Sequence, residues 1–336
     1  MEAQALALLA PIPAPAVVPL SPSLRVSALI PTKNRPDALR RSLATLGAQS
    51  TPVAEVIIVD QSPACDRSAL QALRATAPDS IPCLYLHEPN VTGGATARNR
   101  AIEFAHGDIW LFLDDDVELE HGFVAALLAA YRQRPDALGM AGLITNYPPP
   151  AWRRRSWDAL FRHGLFHDDR QRLYWRAARL RSAHPLPVSR FSGSAMSFRA
   201  AAVGGLRFDA RLTGVSNGED VDFCLALTRG GRGLYIAPQA RLRHLRHPTG
   251  RSQEHWICQT ARDAWFLFLS HGLASGRIAS RRQRTYLAWL ECGLTLGAAV
   301  SALRHRSASP LRALAGGRRE ARETITRRPA EPRSCA

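Results

Sequence analysis

Leu113-Asp114-Asp115-Asp116-Val117 places three adjacent carboxylates at the end of an apolar run, Ile109 to Leu113. Ionising all three is costly unless something positive sits among them. A hard divalent cation with oxygen ligands is the simplest such partner. An acidic loop capping the next helix would read the same way by itself. Asp60 closes a second apolar run, Glu55 to Val59, and Gly218-Glu219-Asp220-Val221-Asp222 forms a further acidic group. After it, Val221, Leu225 and Thr228 recur at helical spacing, which puts Glu219 and Asp220 at a helix N-terminus. Acids there also serve as caps and dipole partners.

The elements that must position these acids follow from periodicity. Val26 to Ile30 is a buried strand stopped by Pro31, and Thr32-Lys33-Asn34-Arg35 is a polar loop. Pro36 opens a helix with Leu39, Leu43 and Leu46 inward and Gly47 at its end. A strand at Glu55 to Val59, a helix from about Asp66 and a strand at Leu84 to Leu86 come next. Gly93 to Arg100 opens a third helix, Ile109 to Leu113 is the fourth strand, and Phe123, Leu127 and Tyr131 mark a fourth helix. This alternation over residues 25–135 predicts a parallel α/β sheet with Asp60 and Asp114 to Asp116 along one edge. Neither GxxxxGK[ST] nor a GxGxxG after the first strand is present, so any nucleotide must be held another way.

The second half is less regular. Tyr147 to Arg190 interleaves arginines with aromatic residues, as an acceptor-binding flap would, although a solvated insertion has the same composition. Phe191 to Phe198 and Leu234 to Pro238 read as strands, with His244 and His247 on a basic loop after them. Trp265 to Leu269 and Tyr286 to Leu303 are apolar. They read as helices packed on the core or as an interfacial membrane helix with basic flanks.

The chain has 336 residues and a net charge of +16, which suits nucleic acid, anionic lipid or a phosphate-bearing substrate without choosing among them. Its six cysteines are scattered, which argues against a zinc site or disulfide framework and fits a reducing compartment. Prolines break the uncharged stretch before Leu24, no basic leader precedes it, and no later window reaches the ~20 apolar residues of a spanning helix. The expected organisation is a flexible Ala/Pro arm (1–24) and a domain at 25–250, with a nucleotide half (25–135) and an acceptor half (140–250). A helical extension (251–306) and a mobile basic tail (307–336) follow.

Taken in order, these segments resemble the family 2 glycosyltransferases, which have the GT-A fold. The likeness spans about Val26 to His247 and rests on VSALIPTKNR (26–35), VIIVDQS (56–62), GGATARN (93–99), LDDDV (113–117), Gly204 to Asp209 and GEDVD (218–222). A lone DxD or ED is weak; the ordered set is specific.

The resemblance implies an α/β GT-A fold and a metal-dependent, inverting transfer from a nucleoside-diphosphate sugar. The acceptor would be a hydroxyl of a glycan, glycolipid or cell-surface polysaccharide precursor, and the enzyme a hexosyl- or deoxyhexosyl-transferase. It implies a Mg²⁺ or Mn²⁺ ion on Asp114, Asp116 and His244. Donor contacts would come from Thr32, Asn34, Arg35, Asp60, Arg98, Asn99 and Asp115, and the base would be Asp220 with Glu219 as the neighbouring alternative. A cytoplasmic enzyme, peripheral at the inner membrane face, is expected. The chain departs from the family at Asp115, where a small residue is common, at Val117, where an acid often follows, and in lacking QxxRW. The competing readings are a sugar nucleotidyltransferase, which would need a glycine-rich loop in place of Pro31 to Arg35, and a non-catalytic binder of anionic lipid or nucleic acid.

Overall fold

The computed structural model describes residues 24–326 except 78–80, 150, 169, 181, 213–217, 229–230, 246–251 and 274–276. The arm before Leu24, His247 and the tail beyond Thr326 lie outside the described residues. In chain order the first half comprises β1 (Val26–Thr32), α1 (Pro36–Gly47), β2 (Glu55–Asp60), α2 (Leu70–Thr76), β3 (Cys83–His87), α3 (Gly94–Ile102), β4 (Ile109–Leu113), β5 (Val117–Leu119), α4 (Phe123–Gln133) and β6 (Gly139–Ile144). The second half comprises α5 (Trp152–Phe161), α6 (Arg170–Leu180), β7 (Leu186–Pro187), β8 (Ala195–Arg199), α7 (Ala200–Val203), α8 (Glu219–Thr228), β9 (Leu234–His244), α9 (Gln253–Leu267), α10 (Arg277–His305) and α11 (Ser309–Thr326).

One sheet runs β3-β2-β1-β4-β8-β6-β9-β5, with β7 beside β9. The first four strands pair in parallel, as the βα alternation predicts. Beyond them the sheet is mixed rather than mostly parallel. β8 runs antiparallel to both β4 and β6, β9 is parallel to β6, and β5 is antiparallel to β9. Here α5 and α6 intervene between β6 and β8, and α7 and α8 between β8 and β9, so the single-helix crossover that keeps successive strands parallel in the first half does not repeat. Both faces of the sheet are covered. Ala28 and Ile30 of β1 join Leu39 and Leu43 of α1 on one side, while Leu29 joins Ile57, Phe112 and Phe198 on the other.

β9 is longer than the expected run to Pro238. Proline has no N–H to donate, and the β6–β9 register shifts beside it, between Gly142↔Ala237 and Leu143↔Arg241. The strand then resumes to His244, which is therefore a strand residue rather than a loop residue.

The expected mobile tail is corrected for Ser309–Thr326. These residues form a helix whose Leu314 packs with Ala261 of α9 and Ala298 of α10. Its small residues permit the close approach, since a Cβ on Gly317 would lie 2.1 Å from the Cys258 carbonyl oxygen. A second correction concerns α10. Arg281–His305 is long and apolar enough to cross a membrane by length and composition, and only 28% of its most apolar window is buried. Glu291, the acid that interrupts this run, turns inward to the Trp265 indole and Arg318. The outward stripe of Trp289, Leu296, Val300 and Leu303 is exposed.

Candidate active site

The acid-bearing ends of the strands open into one cavity of about 1510 Å³. Thr32, Asn34, Arg35, Arg98, Asp114, Asp115, Asp116, Glu219, Asp220 and His244 all line it. Asp60 and Asn99 do not. Asp60 ends β2 behind the wall, where Ser62 donates through its backbone N–H at 2.8 Å and Tyr85 through its hydroxyl at 2.5 Å. Asn99 pins the backbone instead. Its amide donates to the Phe208 carbonyl and accepts from the Phe208 N–H, both at 2.8 Å.

The three aspartates after β4 divide their tasks. Asp115 turns toward β1, accepting from the Thr32 hydroxyl at 2.7 Å and from Arg35 at 3.3 Å. Burial pushes its carboxyl up to about 6 against these two donors, with Asp116 and Asp114 adding to the rise. Ser42 secures the turn by donating to the carbonyls of Asp115 and Val117. Asp114 and Asp116 reach toward His244, although Asp116 Oδ2 also lies 3.7 Å from Arg35. They and His244 offer ligand atoms that all lie within 4.8 Å of one another. The antiparallel pairing of Val117 with His244 carries the histidine to the aspartates. His244 Nε2 lies 3.0 Å from Asp116 Oδ1, while its Nδ1 meets the Ser194 hydroxyl at 3.2 Å. Two carboxylates and an imidazole supported through its other nitrogen form a donor set suited to a divalent cation.

Arg98 spans the site. Its guanidinium is 3.0 Å from Glu219 and 3.3 Å from Asp114, with Phe208 at its face. Gly93, with φ of 90°, caps α3 in a conformation that other residues avoid and lets the helix start beside this group. Glu219 is buried, which raises its carboxyl against the pull of Arg98, and its Oε2 has no hydrogen-bond partner. Asp220 Oδ2 accepts from the Gly193 N–H at 2.9 Å and from Arg170 at 3.1 Å.

Arg170 is a site residue that sequence reasoning missed. It begins α6 in the basic insertion, pairs with Asp168 at 2.9 Å and reaches the Phe191 carbonyl as well as Asp220. Asp168 lies well below the usual carboxylate range because Arg170, Arg190 and Arg162 outweigh its burial. The signal in the sequence was a pair of adjacent acids, Asp168-Asp169, inside a basic stretch, which does not say what either would hold.

A sheet of this order, with paired acids at its carboxyl edge and an ED-opened helix beside them, defines a GT-A glycosyltransferase. The sequence model described as glycosyl transferase family 2 matches residues 27–202, and the chain belongs to that family. It is 27% identical over 240 residues to the succinoglycan biosynthesis protein ExoM of Rhizobium meliloti, covering 70% of this chain and 72% of that one. Its fold is similar to that of mannosyltransferase PcManGT from Pyrobaculum calidifontis, solved with GDP-Man and Mn²⁺, at TM-score 0.56 and 18% identity, covering 90% and 82% of the chains. It is also similar to GalNAc-T7, solved with UDP, GalNAc and Mn²⁺, at TM-score 0.52 and 17% identity, covering 80% and 55%.

Proposed function

We propose that the chain is a divalent-cation-dependent, inverting glycosyltransferase. It moves a hexose or deoxyhexose from a nucleoside diphosphate to a hydroxyl of a growing glycan, glycolipid or cell-surface polysaccharide. The observation that carries this reading is the convergence of Asp114, Asp116 and His244 in the same cavity that Asp220 lines. Asp114, Asp116 and His244 would hold Mn²⁺ or Mg²⁺, which when bound stabilises the negative charge of the departing diphosphate. Thr32 and Asn34 line the nucleoside end, and Arg35 and Arg98 add positive charge beside the acids. Asp220, oriented by Gly193 and Arg170, accepts the acceptor's proton. Attack from its side, opposite the leaving group, inverts the anomeric carbon. The nucleotides carried by the two structural neighbours make GDP- and UDP-sugars the donors to try first. The ExoM likeness favours a polysaccharide precursor as acceptor. The exposed apolar stripe on α10, with arginines at both ends, fits a peripheral position at the cytoplasmic membrane face.

The test is release of nucleoside diphosphate and transfer from GDP- and UDP-sugars, with Mn²⁺, with Mg²⁺ and with EDTA. Activity that survives EDTA, or full activity in Asp116→Ala or Asp220→Ala, rejects these roles.

A further inference from the structure

The cavity is larger than a sugar nucleotide needs, since ligand pockets typically hold about 300–1,000 Å³. Its far end leaves the acids and runs between α5, α9 and α10. Two features distinguish that end. It carries Arg154, Arg162, Arg170 and Arg190, whose carboxylate neighbours among the described residues are Asp158, Asp168 and Asp220. Arg170 also serves Asp220. Burial holds Arg162 and Arg190 below the ordinary guanidinium range and their cationic neighbours add to this, against the pull of the nearby aspartates. Beyond the arginines the lining turns apolar, with Trp157, Ile257, Leu290, Leu294 and Gly297. Its α10 wall is the inner face of the helix whose outer face shows Trp289, Leu296, Val300 and Leu303. The trough therefore runs from Asp220 along the inner face of a helix whose outer face is apolar and exposed.

We propose that this far end binds an acceptor carried on a phospholipid-type anchor: Arg162 and Arg190 take its phosphate or diphosphate, and the α9–α10 trough takes the attached hydrocarbon. The occupant follows from the order of the lining. An anion site next to the base, then an apolar channel, matches a glycan whose reducing end is joined through phosphate to a long alkyl chain. The proposal rests on the glycosyltransferase reading and adds the anchor to it.

The test is titration calorimetry on the full chain in EDTA with pyrophosphate, geranyl diphosphate and farnesyl diphosphate, alongside GDP and UDP with Mn²⁺. Each added five-carbon unit is expected to tighten binding at least about tenfold, because buried methylenes contribute additively. Arg162→Gln and Arg190→Gln are each expected to weaken farnesyl diphosphate at least about tenfold and leave the nucleotide–Mn²⁺ titration unchanged. The wild-type chain-length series stands even if a variant folds poorly. Affinity independent of chain length overturns the proposal and leaves the glycosyltransferase reading intact. So does an equal loss of nucleotide binding in the arginine variants, which would assign the cluster to the donor. Failure of both nucleotides to bind with Mn²⁺ removes the underlying reading instead, and the proposal with it.

Discussion

Arg98 and Glu219, 121 residues apart, form a buried ion pair at 3.0 Å, and the same guanidinium holds Asp114 at 3.3 Å. One side chain thus joins the acids that follow β4 to the acids that open α8. Removing one partner of a buried pair strands the other charge, at about 3–5 kcal/mol. Arg98→Met is expected to lose stability on this scale, and Arg98→Met/Glu219→Gln to recover part of it. Urea unfolding of the single and double variants measures both.

The proposed cation site has a layered dependence. Asp116→Asn removes a proposed ligand and is expected to weaken Mn²⁺ binding the most. Ser194→Ala removes the support of His244 Nδ1 and is expected to weaken it about tenfold. Mn²⁺ titration followed by electron paramagnetic resonance orders the two, and an affinity in Ser194→Ala equal to that of the native chain would remove the proposed support through His244 Nδ1.

Asp220→Asn keeps the shape of the proposed base and removes its proton-accepting charge. It is expected to lower kcat by about 10²–10⁴ with little change in the KM of the donor. Arg170→Met is expected to lower kcat less, through a misplaced Asp220, with partial recovery in Arg170→Lys. Steady-state kinetics against donor concentration separates orientation from donor binding.

Asp263 on α9 is pushed up to about 6 by burial, with Asp220 and Glu320 adding to the rise and Arg262 opposing it. Its folded-state pKa lies above the ordinary aspartate value, so the folded state binds the proton more tightly. Stability therefore falls as pH rises from about 4 to about 6, by about 3 kcal/mol in total. Asp263→Asn removes that dependence. It is expected to match the native chain at or below about pH 4 and to exceed it near pH 8, read from melting temperatures at each pH.

Two neighbouring glycines on α11 should respond oppositely. A Cβ at Gly317 would meet the Cys258 backbone at 2.1 Å, so Gly317→Ala is expected to part α9 from α11 and lose about 1–3 kcal/mol. At Gly316 the nearest atom is the Cys258 sulfur at 3.9 Å, and Gly316→Ala is expected to gain up to about 1 kcal/mol from helix propensity. Thermal melts of the two variants check the pair.

The βα half of the fold was legible because periodicity is local. Leu39, Leu43 and Leu46 on α1 and the run Ile109 to Leu113 in β4 each show their burial pattern within a few residues. The bend of β9 past Pro238 and the docking of α11 were not legible, since both depend on a partner remote in the chain: β6 in one case, α9 in the other.

The residue types alone determined that acids end the strands and open α8, because charge clustering and helix-start spacing are properties of adjacent residues. Tertiary structure alone decided what each acid holds. Asp60 is sealed by Tyr85, Asp115 turns to Thr32, and Asp116 meets His244 through a strand pairing. Arg170 reaches Asp220 from an insertion that had no readable code. Such assignments come from packing, which brings together side chains that the linear order keeps far apart.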